Sequence, residues 1–302
     1  MQQSLLASAP AIRLFSLLMF LIIGMLVAVA FVSVLMSTVG ESVQSSLWMF
    51  YVSVFIQGIC LFVLPTYFAL IVTGAKPIPY LKLNEKTEIG KKIVFGLLTF
   101  FAVYVFVLFL THWNRAIELP ESMHVIEQWM RTKEDAAMAT TQRILSVQTI
   151  GKLLMNILII GVVAAVAEEI IFRGALQQFL HEWTRNGHVA VWVSAAIFSA
   201  VHLQFFGFFP RLVLGALLGY LFLYTRNLWV PIFVHFFNNA MILIVNYVWR
   251  DSEWLKNSEK ITITLTFALL AIVSLALTVL IFRQYIKKND TNSTYHSVER
   301  HF

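Results

Sequence analysis

The stretch Ile150–Arg173, IGKLLMNILIIGVVAAVAEEIIFR, decides how this chain is to be read. It holds no charged residue from Leu153 to Ala167, and then two acids follow side by side, Glu168 and Glu169. An apolar run of about 20 residues crosses the hydrocarbon core of a bilayer as a helix. Burying an ionised carboxylate in such a place is costly unless it is paired or neutralised. Either the helix ends at the interface and both acids are solvated, or they belong to a buried arrangement with a purpose. Arg173 stands four residues beyond Glu169, so the two share a helical face and can pair. Glu168 points about 100° away around the same helix and is left for another task.

The rest of the chain supports a membrane reading. Of 302 residues 59% are hydrophobic, 26 are Phe, and only 13% are charged, against about 25% in a soluble domain. That composition excludes an ordinary soluble enzyme and predicts an all-α, polytopic bundle. Eight stretches approach spanning length, at 13–36, 47–73, 93–112, 150–172, 189–203, 210–225, 228–249 and 261–282. The fifth and sixth are short and interrupted by polar residues, which places them inside the bundle rather than against lipid. The first lacks a basic leader and a small-residue cleavage site, so it reads as a retained helix. Four regions follow: a three-span scaffold over 1–112, a polar segment over 113–149, a core over 150–250, and a last span with its tail over 251–302. Within the second, Trp113–Gln148 reads as a surface helix lying outside the bundle.

Basic residues collect in cytoplasmic loops. With both termini on one side, that side carries 13 bases against 5 acids and the other side 9 against 9. The net charge of +6 is therefore a topology signal, with both termini expected in the cytoplasm. It does not call for nucleic acid, because the bases are not gathered into tracts. A single cysteine, Cys60, excludes an intramolecular disulfide and a thiolate metal site.

Two later segments add polarity where none is needed for packing. IFSAVHLQFF carries His202 with Phe198 one turn before it, and WVPIFVHFFNNAMIL carries His235 and Asn239 at i and i+4, with Asn238 on a neighbouring face. A lone histidine on an apolar helix is usually a satisfied interior residue. Two histidines, an asparagine and two carboxylates from three segments look like a site. Neither a G-x-S-x-G elbow nor an H-E-x-x-H helix occurs, so a nucleophilic serine and a helix-borne zinc pair drop out. A carboxylate with a histidine can deprotonate a water as general base, while His235 and Asn239 donate to an oxyanion. The set Glu168, His202 and His235 could equally hold zinc with one position open for water. Residue types alone leave both open. Gly215 and Gly219 form a small-xxx-small spacing that reads as helix packing, and Trp229, Trp249 and Trp254 fit an aromatic interface belt.

The ordered set EEIIFR, FSAVH and HFFNN, with the linking stretch RLVLGALLGYLFLYTRNLWVPIFVH, resembles the CAAX prenyl endopeptidase type II family, the wider group of CAAX proteases and bacteriocin-processing membrane proteins. The likeness covers roughly residues 150–245. It implies a multi-helix intramembrane endopeptidase acting on membrane-associated, in some members prenylated, proteins or peptides near the cytoplasmic face. Its catalytic set maps onto Glu168 as general base, Glu169 and Arg173 as its supporting pair, His202 as partner in holding the water, and His235 with Asn239 on the oxyanion side. Phe198 falls on an apolar motif position and is assigned packing. No cofactor is implied as required, zinc being the one alternative. The implied location is a bacterial cell membrane, multi-pass, with a cavity opening toward the cytoplasm on the side of Arg173, Arg185 and Arg226. Two other readings compete: a catalytically silent scaffold or bacteriocin self-immunity protein, and, more weakly, a transporter, which the absence of an inverted repeat disfavours.

Overall fold

The computed structural model describes residues 10–40, 46–253 and 262–298, with side chains followed to Asn289. The described residues are helical throughout, joined by short turns. In chain order the helices are α1 (Pro10–Thr38), α2 (Leu47–Val72), α3 (Ile89–Arg115), α4 (His124–Leu145), α5 (Ile150–Thr184), α6 (Gly187–Ala200), α7 (Phe205–Thr225), α8 (Trp229–Trp249) and α9 (Leu265–Val298). Seven of them, all but α4 and α6, are long and apolar enough to cross a membrane. The chain is a multi-pass membrane protein.

Local chemistry explains where helices begin and stop. Ser46 accepts from the Met49 amide at the start of α2, Thr149 from Lys152 at the start of α5, and Asn186 from His188 and Val189 at the start of α6. Each satisfies an amide that has no partner inside its helix. Arg185 and Arg226 end α5 and α7 in the left-handed conformation, at φ 57° and 51°, which turns the chain back sharply. In α2 a wide π turn over Gly58–Val63 directly precedes Pro65, a residue that has no amide to continue the ladder.

Two corrections to the expected spans follow. The fifth expected span, 189–203, is the helix Gly187–Ala200 of 14 residues, about 21 Å long at 1.5 Å per residue, well short of a bilayer core. One face packs against α7, burying Val191, Ala195 and Phe198, while Val189, Trp192, Val193 and Ile197 stay exposed. The fourth does not end at Phe172. Helix α5 continues for 35 residues to Thr184, so Glu168 and Glu169 sit near its middle, and the solvated-interface alternative falls. The continuation was hidden because Gln177, Gln178, His181 and Glu182 look like a loop. They are polar, but other helices satisfy three of them. Gln177 donates to the Gly219 carbonyl at 3.0 Å, Gln178 to the Tyr80 carbonyl at 2.9 Å, and Glu182 pairs with Arg13 at 2.6 Å.

These contacts define two ends of the bundle. At one end lie Arg13, Tyr80, Glu182 and Asn227, the last donating to the Glu85 carbonyl at 2.8 Å. The Tyr80 hydroxyl donates to Glu182 at 2.8 Å, and burial together with that carboxylate pushes the phenol pKa up. Trp229 donates to the Leu83 carbonyl at 2.9 Å and thereby pins the loop before α3; Trp254 lies outside the described residues. At the other end Asn114, Gln148, Phe205 and Tyr247 come together, and α4 lies there. As the polarity of Trp113–Gln148 suggested, α4 is a helix with no buried residue. It leans on the bundle through Trp129 against Phe205 and the Arg131 guanidinium 4.8 Å over the Phe206 ring.

Glycines at 215 and 219 let α7 come close enough to α5 and α6 for backbone to be used as a ligand. A Cβ at Gly215 would lie 3.2 Å from Ala195 and Phe198, and one at Gly219 only 2.8 Å from the Gln177 carboxamide oxygen. Their carbonyls accept from Arg173 and Gln177 respectively. The small-xxx-small spacing is thus packing that also satisfies two polar side chains of α5.

Candidate active site

Helix α5 carries the two carboxylates into different surroundings. Glu169 is fully buried and Arg173 is 1% exposed. Nη1 of Arg173 donates to Oε1 of Glu169 at 2.7 Å, and Nη2 to the Gly215 carbonyl at 2.9 Å. Arg173, expected at the cytoplasmic edge, is therefore an interior residue. Removing it from the loop count leaves the sign of the charge asymmetry unchanged. Residues Ile170–Gln177 form a π-helical stretch that begins immediately after Glu169, and a second one, Ile157–Val163, precedes the acids. Such wide turns re-aim side chains and are frequent at functional positions.

Helix α8 brings His235 to the same place. Its Nδ1 lies 2.8 Å from Oε1 of Glu169. A carboxylate only accepts, so Nδ1 carries the hydrogen. The other nitrogen, Nε2, is 3.8 Å from Oε2 of Glu168. Glu168 itself keeps 18% of its side chain exposed and lines a cavity of about 540 Å³. The expected pairing of the acids is therefore more specific than the i, i+4 argument required: Glu169 holds Arg173 and His235 together, and Glu168 is the one presented to the cavity.

His202 sits just after α6, on the cavity wall. Its Nδ1 lies 2.8 Å from the Phe198 carbonyl, an acceptor, so this nitrogen is the donor and Nε2 is left with its lone pair. One turn beyond His235, Asn239 faces the same cavity. Its Nδ2 donates to the Ile160 carbonyl at 3.1 Å, its Oδ1 accepts from Asn238 at 3.2 Å, and its second N–H remains for the cavity. All six residues singled out in the sequence are thus brought to one place, four on the cavity wall and two behind it.

Phe198 does more than fill space. Its ring stands edge-on to Phe172, His202 and His235, with centroids 5.1, 5.1 and 6.1 Å away, and receives the Arg173 guanidinium at 4.7 Å. A cation over an aromatic face is attractive, so one ring links the buried ion pair to both histidines. Two further residues were not singled out in the sequence. Asn114, 3% exposed at the end of α3, donates to the Phe205 carbonyl at 3.1 Å and accepts from the Phe209 amide at 2.9 Å, which fixes the turn that follows His202. A buried asparagine closing an apolar span was the available signal. Arg211 is the only arginine or lysine among the described residues lining the cavity.

The cavity does not extend where it was expected. Its walls continue along Val107 and Thr111 of α3, Ile242 of α8, and Thr141, Ile144 and Leu145 of α4. It therefore runs to the α4 end, away from Arg185 and Arg226. Among the described residues no three His, Cys, Asp or Glu side chains are grouped to hold an ion, and this includes Glu168, His202 and His235.

Comparison with known proteins gives the same region. Residues 150–241 match the family model described as "Type II CAAX prenyl endopeptidase Rce1-like". The chain is 33% identical over 105 residues to the Bacillus subtilis "Putative membrane peptidase YdiL", covering 35% of this chain and 42% of that protein. It is 31% identical over 114 residues to the Bacillus subtilis "Uncharacterized protein YpbD", covering 35% of this chain and 56% of that one. The matched stretch thus spans about half the length of these relatives. No solved structure matches. The stretch that carries both glutamates, both histidines and Asn239 is thus the part of this membrane protein that is similar to the Rce1-like type II CAAX prenyl endopeptidase family.

Proposed function

We propose that the protein is an intramembrane endopeptidase that hydrolyses a peptide bond of a membrane-associated protein or peptide with a glutamate-activated water. The observation that carries this reading is the division of labour between adjacent acids: Glu169 is buried against Arg173 and His235, while Glu168 faces a cavity that His202, His235 and Asn239 also line. Water between Glu168 and Nε2 of His202 loses a proton to the carboxylate, and the hydroxide adds to the scissile carbonyl carbon. In its imidazolium form His235, whose Nδ1–H is held by Glu169, donates through Nε2 to the oxyanion that forms, beside the free N–H of Asn239. Collapse breaks the C–N bond, and the proton on Glu168 passes to the leaving amine, so one water is consumed and the carboxylate is restored. The cavity volume of about 540 Å³ suits a few residues of extended peptide.

The bases concentrated around residues 76–92 and 283–288 favour a cytoplasmic position for the Arg13 end, and the kinship with bacterial proteins favours a bacterial cell membrane. In that orientation peptide reaches the catalytic groups from the α4 end. The deciding experiment compares membrane proteomes of cells carrying the wild-type chain with cells carrying Glu168→Gln at equal expression. Uncleaved precursors should accumulate in the variant. Identical proteomes would leave the silent scaffold or immunity reading in its place.

A further inference from the structure

Arg211 is unused by the mechanism above. It lies in the first turns of α7, part-buried, on the wall of the cavity that contains Glu168 and His202. Nη2 donates to the Gln204 carboxamide oxygen, whereas Nη1 is enclosed and has no hydrogen-bond partner among the described residues. Glu134 of α4 and Glu168 are the carboxylates near enough to act on it through charge. Oε2 of Glu134 is likewise enclosed without a hydrogen-bond partner, and the two residues form no ion pair among the described residues. Two opposite charges are therefore sheltered from water at the joint between α4 and the cavity, each with an unmet hydrogen-bonding group. A guanidinium offers five donors in a planar fork that matches a carboxylate. Leaving it uncompensated in a sheltered place is costly.

We propose that Arg211 is the carboxylate-binding residue of the cavity, which positions a peptide through a carboxylate near its scissile bond, and that Glu134 is the nearby internal acid whose charge competes with that carboxylate. The proposal rests on the peptidase reading for its ligand class. Two sources supply the same chemistry, an acidic side chain or a free C-terminus. Arg211 acts in positioning, by holding the peptide at one point while Glu168 and its water address another.

The test uses the full-length protein in nanodiscs, with Glu168→Gln to prevent turnover, and three fluorescein-labelled decapeptides of one apolar sequence. One is neutral with a C-terminal amide, one is amidated with a single internal Glu, and one has a free C-terminal carboxylate. Fluorescence anisotropy should show at least one carboxylate peptide binding about tenfold tighter than the neutral one, the effect of one good charge-assisted contact. Which peptide gains identifies the source. Adding Arg211→Gln should remove the preference and Arg211→Lys should keep part of it. Adding Glu134→Gln instead should tighten carboxylate peptides severalfold and leave the neutral one unchanged, a readout that survives if Arg211→Gln fails to fold. Equal binding of all three peptides, no binding of any, or a preference that persists in Arg211→Gln overturns the proposal. Peptide cleavage by the wild-type chain without carboxylate preference would overturn this inference alone, whereas Arg211-dependent binding without cleavage by the wild-type chain would overturn the peptidase reading alone.

Discussion

Oε1 of Glu169 accepts from Nη1 of Arg173 at 2.7 Å and stands 2.8 Å from Nδ1 of His235. One oxygen thus ties a residue one helical turn away to a residue on another span. The consequence is that His235 is oriented by a carboxylate that is itself oriented by an arginine anchored on the Gly215 carbonyl. In the proposed reaction His235 meets the substrate, whereas Glu169, Arg173 and the Gly215 carbonyl act behind it by holding its ring in place.

Replacing Glu168 by Gln is expected to lower turnover by about 10²–10⁴, the range of a general base, with insertion and thermal stability unchanged. Cleavage of an accumulated precursor by purified protein, beside its unfolding temperature, checks both halves. Full activity in the variant would remove Glu168 from the reaction.

Arg173→Ala should behave differently, because it leaves Glu169 as a buried carboxylate without its cation. Breaking one side of a buried pair costs about 3–5 kcal/mol, so the variant should unfold at markedly lower denaturant in detergent and lose activity with the fold. Glu169→Gln in the same background should recover part of that stability, which a double-mutant comparison measures.

Asn114→Ala removes both bonds that hold the turn after His202, and an unsatisfied buried group costs about 1–3 kcal/mol. Hydrogen exchange should increase over residues 201–209 while α5 stays protected. Turnover should fall more than substrate affinity. Unchanged exchange in that turn would show that Asn114 does not fix it.

Gly219→Leu is expected to force α7 away from Gln177, since even a Cβ would stand 2.8 Å from its oxygen, with a loss of about 1–3 kcal/mol or more from overpacking. Gly90→Ala, where a Cβ meets nothing within 4 Å, serves as the matched control and should be neutral.

A chelator such as 1,10-phenanthroline should leave cleavage intact, because the three residues a zinc ion would need are not grouped to bind it. Metal analysis of active protein by mass spectrometry provides the complementary reading. Stoichiometric zinc whose removal stops turnover would replace the glutamate-only scheme.

Much of the architecture was written along the chain. Seven long apolar helices follow from the requirement that a lipid-exposed backbone bond to itself, and residues such as Glu168, His202 and His235 stand out because polarity in an apolar run has to serve something. The helical character of α4 was equally readable. Distance along the chain did not reveal that α5 runs on to Thr184, that the expected span 189–203 is a helix of only 14 residues, or that the cavity leads to α4. Gln177, Gln178 and Glu182 look alike in sequence whether water or a neighbouring helix satisfies them; the Gly219 and Tyr80 carbonyls and Arg13 make that choice. Arg211 shows the same limit. As one base among many it carried no signal, and only the tertiary structure placed it on the wall of the cavity that Glu168 lines. Sequence determined which groups could not be left in lipid unpartnered. Tertiary structure decided their partners, because the partners are backbone carbonyls and charges brought close by helices distant along the chain.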